Sequence, residues 1–282
     1  MGSVFAAVAS YLQAKSQQGQ WLVRIDDLDS LRIVQGVDSD ILTTLEAFGL
    51  YWDNSVVYQS QCLDQYESAL SELKQQQLIY PCSCSRKELS QLQSLDSGSN
   101  IYPGICRNQK ISLAAAHALR IKVPDIYITF TDLAQGTITE NLKQQHGDFI
   151  LRRKDQIIAY QLAVVIDDAN QQITEIVRGA DLLDSTVKQI YLQQKLGLNS
   201  QQYMHIPILT DKQGNKLSKQ TFATAVAIEK APVILSQVLN LLKQPLPAEL
   251  NSAPVEQQLK WAIRHWQPTQ LKKDRAISQG IA

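Results

Sequence analysis

The chain has 282 residues, 27 basic and 27 acidic side chains, and a hydrophobic fraction of 44%. This composition excludes a disordered chain, and the lack of any apolar run near the roughly 20 residues that span a bilayer excludes a membrane protein. Zero net charge excludes a protein that is basic all over, but not one with a local basic face for RNA. The N-terminal stretch lacks the basic residues of a signal peptide, so we expect a cytoplasmic protein with reduced cysteines.

Helices and one short strand are predicted in residues 1–77. Apolar residues at helical spacing predict a helix from Gly2, a second over about 38–48 and a third over 62–76. The apolar stripe of the second is formed by Ile41, Leu45 and Phe48. Between the first two, residues 21–26 are rich in β-formers and predict a buried strand that ends in an acidic turn. This order predicts an α/β domain with a largely parallel, Rossmann-like sheet.

The pattern changes after residue 77 and changes back near residue 150. Residues 78–149 contain short β-branched segments and three cysteines, which predicts a small, mostly β insertion. Residues 150–230 resume the α/β pattern, with a helix predicted over YQLAVVIDDA, a strand over ITEIVRG and one buried strand over HIPILT. Residues 231–282 carry two amphipathic helical patterns and are expected to form a helical C-terminal segment.

Three cysteines have a spacing that suggests a metal site. Cys82 and Cys84 form a Cys-x-Cys pair, and Cys106 comes four residues after Tyr102. Zinc prefers four tetrahedral ligands, so the cysteines leave one position that a Tyr102 phenolate could complete if the metal lowers its pKa. The alternative is that the thiols pack as small hydrophobic groups. We assign the remaining cysteine, Cys62, to packing.

A polar loop follows the predicted HIPILT strand and contains two lysines. Lys216 and Lys219 flank Ser218 just after Gly214. Lysine supplies a mobile positive charge for phosphoryl oxygens, so the loop suits a triphosphate. The alternative is an ordinary solvated turn.

Three aspartates follow the first predicted strand. Ligands bind at the carboxyl ends of strands in open α/β sheets, so Asp26 is placed to hold a substrate ammonium. Together with Asp27 and Asp29 it could instead bind Mg²⁺. Helix capping is the simpler alternative, above all for Asp29.

An arginine ends the predicted ITEIVRG strand. Arg178 can hold a carboxylate through two parallel hydrogen bonds, and the Tyr160 hydroxyl can add polar discrimination. The alternative is a structural salt bridge from Arg178 to Glu175 or Asp181.

The motifs WLVRIDDLD, CSC…YPGIC, IIAYQLAVVIDD, TEIVRGADLL, HIPIL and GNKLSKQ occur in this order. As a set they resemble the glutamyl branch of class I aminoacyl-tRNA synthetases, over nearly the whole chain. The resemblance is strongest to a short group in that branch that lacks an anticodon-binding domain. It implies the following assignments: zinc at Cys82, Cys84, Tyr102 and Cys106, L-glutamate at Asp26, Tyr160 and Arg178, and ATP at Lys216, Ser218 and Lys219.

The resemblance also implies an activity. Members of that short group activate L-glutamate with ATP, with Mg²⁺ expected, to a glutamyl-adenylate without tRNA. They then transfer the glutamyl group to queuosine in the anticodon of tRNA(Asp). We expect the zinc to be structural and the protein to be a monomer.

Two departures from the family pattern shape the expectations. Family members carry a strand and a phosphate-binding loop with a His–Gly signature ahead of this point, so we expect that the first strand is missing and that the natural chain starts upstream. Asp26 stands where the family usually has Glu, and its carboxylate is one methylene shorter. Two alternatives remain: a truncated glutamyl-tRNA synthetase that charges a tRNA 3′ end, and an inactive RNA-binding or zinc-scaffold paralogue.

Overall fold

The computed structural model describes residues 1–29, 32–85, 87–89, 101–112, 116–211, 213–214, 226–271 and 273–278. Its helices are α1 (Gly2–Ser16), α2 (Val37–Ala47), α3 (Leu63–Gln75), α4 (Leu142–Gln145), α5 (Tyr160–Asn170), α6 (Leu183–Lys195), α7 (Ala231–Leu241) and α8 (Val255–His265). Its strands are β1 (Arg24–Ile25), β2 (Val57–Tyr58), β3 (Ile79–Cys82), β4 (Ala118–Ile121), β5 (Tyr127–Asp132), β6 (Gly136–Asn141), β7 (Ile150–Arg152), β8 (Glu175–Gly179), β9 (Gln202–Ile206), β10 (Ile208–Thr210) and β11 (Ala276–Ser278).

The sheets mix parallel and antiparallel pairs. The largest has the order β6-β5-β9-β8, in which β5, β9 and β8 run parallel and β6 pairs antiparallel with β5. A second sheet, β3-β4-β7, is antiparallel, and β1–β2 and β10–β11 are parallel pairs. The α/β class is therefore confirmed, with mixed sheets. In the largest sheet β8 and β9 end side by side, at Gly179 and Ile206, whereas the last residue of β5, Asp132, pairs with Tyr203 near the start of β9.

Helix α1 shows how the apolar pattern builds the core. Val4, Val8 and Leu12 recur every four residues, so they share one helix face, and all three are buried. That face belongs to a core cluster that also contains apolar residues of α7, α8 and β9. A second core cluster joins α3, α5 and α6 to β4 and β5. The helix predicted from Gly2 is confirmed, and so are the two helices predicted in the tail.

Three local predictions were wrong. HIPILT forms two strands, because Pro207 has no N–H for the ladder; β9 pairs with β8, whereas β10 pairs with β11. The strand predicted over residues 21–26 shortens to Arg24–Ile25, which pairs with the two residues of β2. Helix α2 forms as predicted, and Leu45 and Phe48 pack in the first core cluster, but Ile41 is 42% exposed and does not face a core.

The helices within the described ranges are short relative to a bilayer or carry polar residues. None of them combines the length and the apolar character that a membrane crossing requires.

Candidate active site

A cavity of about 580 Å³ lies between α1, the segment that leads into β1, helix α5 and strand β8. Three residues predicted to bind substrate line it together: Asp26, Tyr160 and Arg178. Asp26 directly follows β1, Arg178 lies near the carboxyl end of β8, and Tyr160 is the first residue of α5. The cavity thus combines a carboxylate, a phenol and a guanidinium, which are groups that recognise a small zwitterion.

Arg178 is oriented by contacts from three elements. The register of β8 and β9 places it directly beside His205, and its Nε donates to His205 Nε2 at 3.0 Å. Its Nη2 donates to the Thr186 hydroxyl on α6 at 2.9 Å, and its Nη1 lies 3.5 Å from the Tyr160 hydroxyl. Glu175, the salt-bridge partner considered above, accepts hydrogen bonds from Gln13 and Gln17 instead.

His205 in turn contacts Asp132, the last residue of β5. His205 Nδ1 lies 2.6 Å from Asp132 Oδ2, and both side chains are 0% exposed. Because a guanidinium has no acceptor, His205 Nε2 must accept from Arg178, so the imidazole hydrogen resides on Nδ1 and is donated to Asp132. Burial and the nearby Arg178 charge lower the pKa of His205, which favours this neutral form.

The Asp132 carboxylate is held as an anion despite its burial. Burial raises its pKa. Hydrogen bonds from the His205 ring and from the backbone amides of Gln135 and His205 more than offset this effect, so the pKa of Asp132 lies below its usual range. The Ala134 amide is a further donor to the same carboxylate. Asp132 therefore remains charged and fixes the ring of His205.

The Asp26 wall of the cavity contains an ion-pair cluster around Arg24. Arg24 donates from Nε to Asp26 at 3.1 Å and from Nη1 to Asp168 at 2.8 Å. Burial alone lowers the pKa of Arg24, but the charges of Asp168 and Asp26 outweigh it and raise that pKa above its usual value. Burial raises the pKa of Asp168, against the lowering effect of Arg24. Arg24 Nε also lies 3.5 Å from Asp167 Oδ2, so three carboxylates share this one cation.

The three neighbouring aspartates have separate roles. The Asp26 side chain is 48% exposed and faces the cavity region. Asp27 accepts from the amide and the hydroxyl of Ser60, and Asp29 accepts from Arg153 at 2.7 Å. The contacts of Asp27 and Asp29 thus tie the loop to other segments, and Asp26 alone of the three lines the cavity.

The predicted metal ligands also lie together. The sulfur atoms of Cys82, Cys84 and Cys106 all lie within 4.8 Å of one another. The Tyr102 hydroxyl is 3.5 Å from the Cys82 sulfur and 3.7 Å from the Cys84 sulfur. Arg120, which is buried, donates from Nε to the Cys82 sulfur at 3.3 Å and stacks over the Tyr102 ring at 3.8 Å. Three sulfur atoms and one phenol oxygen around one point match the donor number that zinc prefers.

The thiols differ in acidity within this cluster. Burial raises the pKa of Cys106, but hydrogen bonds from Tyr102 and from the Ser83 amide more than offset it and lower the pKa to about 6. Burial raises the pKa of Cys84 to about 11. Since the thiolate is the form that binds a metal, Cys106 is closer to that form than Cys84 at neutral pH.

The predicted ATP-binding residues Lys216, Ser218 and Lys219 lie outside the described residues. The structure describes the chain up to Asp211 and again at residues 213–214, directly after β10.

Sequence reasoning missed three residues that contact Arg178 or support it: Asp132, Thr186 and His205. A signal existed, since His205 and Asp132 are polar residues in otherwise apolar or β-branched segments that form buried strands. Strand neighbours, however, are not encoded locally, so the sequence alone did not place Asp132 beside His205.

The catalytic part of the chain matches a family model. The model for "tRNA synthetases class I (E and Q), catalytic domain" matches residues 1–232.

Curated relatives match over nearly the whole chain. A protein from Pseudomonas paraeruginosa is 43% identical over 99% of this chain and 92% of its own length, and its name is Glutamyl-Q tRNA(Asp) synthetase. Proteins of the same name from Neisseria gonorrhoeae and from a Synechococcus species are each 46% identical, over 97% of this chain and 93% and 92% of their own lengths.

Two solved structures share the fold. A glutamate-tRNA synthetase from Elizabethkingia anophelis superposes with a TM-score of 0.82 at 20% identity, and covers 99% of this chain. A glutamate tRNA ligase from Elizabethkingia meningosepticum, in complex with its amino acid, superposes with a TM-score of 0.79 at 21% identity and covers 98% of this chain. The chain spans 65% and 63% of the lengths of these two proteins.

Proposed function

The chain belongs to the family of class I tRNA synthetases for glutamate and glutamine, and from this premise we propose that it is a ligase that attaches L-glutamate to queuosine in tRNA(Asp). It activates glutamate with ATP before tRNA is bound, and then transfers the glutamyl group to queuosine at the wobble position. Such an enzyme works in the cytoplasm, where its tRNA is found.

One observation carries this proposal: relatives named Glutamyl-Q tRNA(Asp) synthetase match nearly all of this chain and nearly all of their own length. A match of this extent favours the queuosine reaction over charging of a tRNA 3′ end. The cavity supports it, because Asp26, Tyr160 and Arg178 line one space.

The proposed glutamate site divides the substrate's charges between two walls. Arg178 receives the side-chain carboxylate, because its planar guanidinium offers two parallel donors. Asp26 receives the ammonium, directly or through a water molecule, since its side chain is short and half exposed. Tyr160 adds a hydroxyl beside Arg178. The α-carboxylate of glutamate is then left to react.

Activation is a displacement at phosphorus. A glutamate carboxylate oxygen attacks the α-phosphorus of ATP, the new bond gives glutamyl-adenylate, and the bond to pyrophosphate breaks. The protein contributes positioning and electrostatic stabilisation, and no covalent enzyme intermediate is needed. We assign Lys216, Ser218 and Lys219 to binding of the ATP phosphates, which would also bind Mg²⁺. A queuosine hydroxyl then attacks the activated carbonyl, and AMP leaves.

We also propose that the Cys82, Cys84, Tyr102 and Cys106 set holds one zinc ion. The support is the convergence of the three sulfur atoms and the phenol oxygen, with the Arg120 charge beside them to offset the anionic ligands. Four protein ligands leave no position for a reactive water, so the zinc is structural.

Glutamate-dependent ATP–pyrophosphate exchange without tRNA tests the activation step. We expect exchange with L-glutamate and none with L-glutamine, because the glutamine amide offers one acceptor oxygen and its NH₂ group would meet the second N–H donor of Arg178. Arg178→Lys keeps the positive charge but removes the two parallel N–H donors of the guanidinium, so the KM for glutamate should rise at least about tenfold. The matched control is Arg152→Lys, whose guanidinium binds Glu67. Exchange that does not depend on glutamate would refute the proposal.

A further inference from the structure

We infer that Asp132, His205 and Thr186 are positioning residues that hold Arg178 in the orientation needed to grip a substrate carboxylate. The inference rests on the proposed function and deepens it. None of the three need touch glutamate; they act through the guanidinium.

His205 and Thr186 contact Arg178 directly, and Asp132 contacts His205; none of the three lines the cavity. Arg178 lines the cavity, whereas Asp132, His205 and Thr186 are all buried. Adjacent parallel strands supply the line of contacts: Asp132 ends β5, His205 lies on β9 and Arg178 lies on β8. The contacts are 2.6 Å from Asp132 Oδ2 to His205 Nδ1 and 3.0 Å from His205 Nε2 to Arg178 Nε.

Hydrogen-bond arithmetic shows what this arrangement leaves for a ligand. A guanidinium has five N–H groups in one plane. His205 accepts from Nε, Thr186 accepts one N–H of Nη2, and the Tyr160 hydroxyl lies near Nη1. Within the described residues, one N–H on Nη1 and one on Nη2 are left, which is the pair that a carboxylate takes in a bidentate contact.

The tautomer of His205 determines whether its Nε2 can accept the hydrogen bond from Arg178. Only the ring with its hydrogen on Nδ1 presents Nε2 as an acceptor to Arg178. The Asp132 carboxylate enforces this form because it can only accept a hydrogen bond. An asparagine at position 132 can turn its NH₂ group toward Nδ1, so that the ring hydrogen moves to Nε2. The Nε2–H of His205 and the Nε–H of Arg178 would then be two donors facing each other.

Replacing Thr186 provides the first test. Thr186→Val keeps the shape and removes the hydroxyl, so we expect the KM for glutamate in ATP–pyrophosphate exchange to rise about tenfold while the KM for ATP stays within about twofold. Thr186→Ser restores the hydroxyl and should recover most of the glutamate affinity. Thr139→Val is the control, since it removes a threonine hydroxyl that bonds to Thr129 on the exposed β5–β6 hairpin.

Nitrogen-15 NMR of the imidazole provides the second test, which does not need activity. Wild-type His205 should show the neutral tautomer protonated on Nδ1, and Asp132→Asn should show the one protonated on Nε2, with the signal assigned by its loss in His205→Gln. A wild-type ring protonated on Nε2 would overturn the inference.

The outcomes separate the two proposals. Active wild-type protein whose glutamate KM is unchanged by Thr186→Val would overturn the positioning role alone. Wild-type protein with no glutamate-dependent exchange would remove the proposed function and the carboxylate role with it. A merely structural role for Thr186 would lower the melting temperature without a selective change in the KM for glutamate.

Discussion

Asp26 and Asp27 are neighbours in sequence, but their carboxylates have different surroundings. Asp26 pairs with Arg24 and lines the cavity, whereas Asp27 caps the segment at Ser60. Asp26→Ala should raise the KM for glutamate about tenfold, because a hydrogen bond to a charged group contributes about 1.5–3 kcal/mol. Asp27→Asn is the matched control and should leave that KM close to wild type. Unchanged glutamate affinity in Asp26→Ala would remove Asp26 from the site.

The buried His205 predicts a pH effect on stability. Its folded pKa lies below the ordinary 6.5, because burial and Arg178 disfavour the cation. Well above pH 6.5 the ring is neutral in both states and adds no pH dependence. Below pH 6.5 the unfolded chain takes up a proton that the folded chain resists, so stability falls with falling pH until the folded pKa is reached.

The measurement for this effect is a comparison of thermal melts with His205→Gln. Between pH 7.5 and 5.5 the melting temperature of the wild type should fall more than that of the variant, which lacks the titrating ring. Other groups titrate in both proteins and cancel in the difference. Equal falls in the two proteins would show that His205 takes up its proton as readily when folded.

Single residues were predicted well where their chemistry is local. Asp26, Tyr160 and Arg178 each stand at the start or end of a predicted element, and the structure brings them to one cavity. His205 and Asp132 were missed because their contact depends on which strand lies beside β9. Their roles, like the glutamate-binding roles, remain predictions.

Helix α1 offers a test of how an element is held. Leu12 is 0% exposed and lies in the core shared with α7 and α8, whereas Leu63 at the start of α3 is 50% exposed. Leu12→Ala should lower the free energy of unfolding by about 2–5 kcal/mol, because the removed methyl groups leave a cavity. Leu63→Ala should cost far less. Urea denaturation of both variants checks this, and similar midpoints would contradict the packing of α1.

We expect the segments that carry the cysteine cluster to be stabilised by the proposed zinc ion. Cys82→Ser should reduce bound zinc from about one per chain to a small fraction, because thiolate ligands dominate such sites. Removal of the metal with a chelator should lower the melting temperature. Cys62→Ser is the control, since its sulfur contacts the Tyr58 carbonyl instead of the cluster. Full zinc content in Cys82→Ser, measured by atomic absorption, would contradict the site.

Strands were harder to predict than helices. The helices predicted over YQLAVVIDDA and in the tail formed, because their pattern repeats within one segment. HIPILT was predicted as one strand, yet Pro207 divides it and sends its halves to different partners. Strand pairing joins distant segments, so periodicity alone does not determine it.

At the scale of the whole molecule, too, the sequence predicts local patterns better than strand pairing. The α/β class could be predicted from the alternation of helices and strands, whereas the mixed order β6-β5-β9-β8 could not. The antiparallel β5–β6 hairpin and the parallel strands β8 and β9 form one sheet through a single pair, Asp132 and Tyr203. The same pairing brings Asp132 next to His205, which contacts Arg178 of the proposed glutamate site.

The most direct test of the central claim is transfer of labelled glutamate to tRNA(Asp) with and without queuosine. The two tRNAs differ only at the modified base, and both carry an intact 3′ end. We predict label on the queuosine-containing tRNA and none on the other. Equal labelling of both tRNAs would contradict the account, because the acceptor would then be the 3′ end.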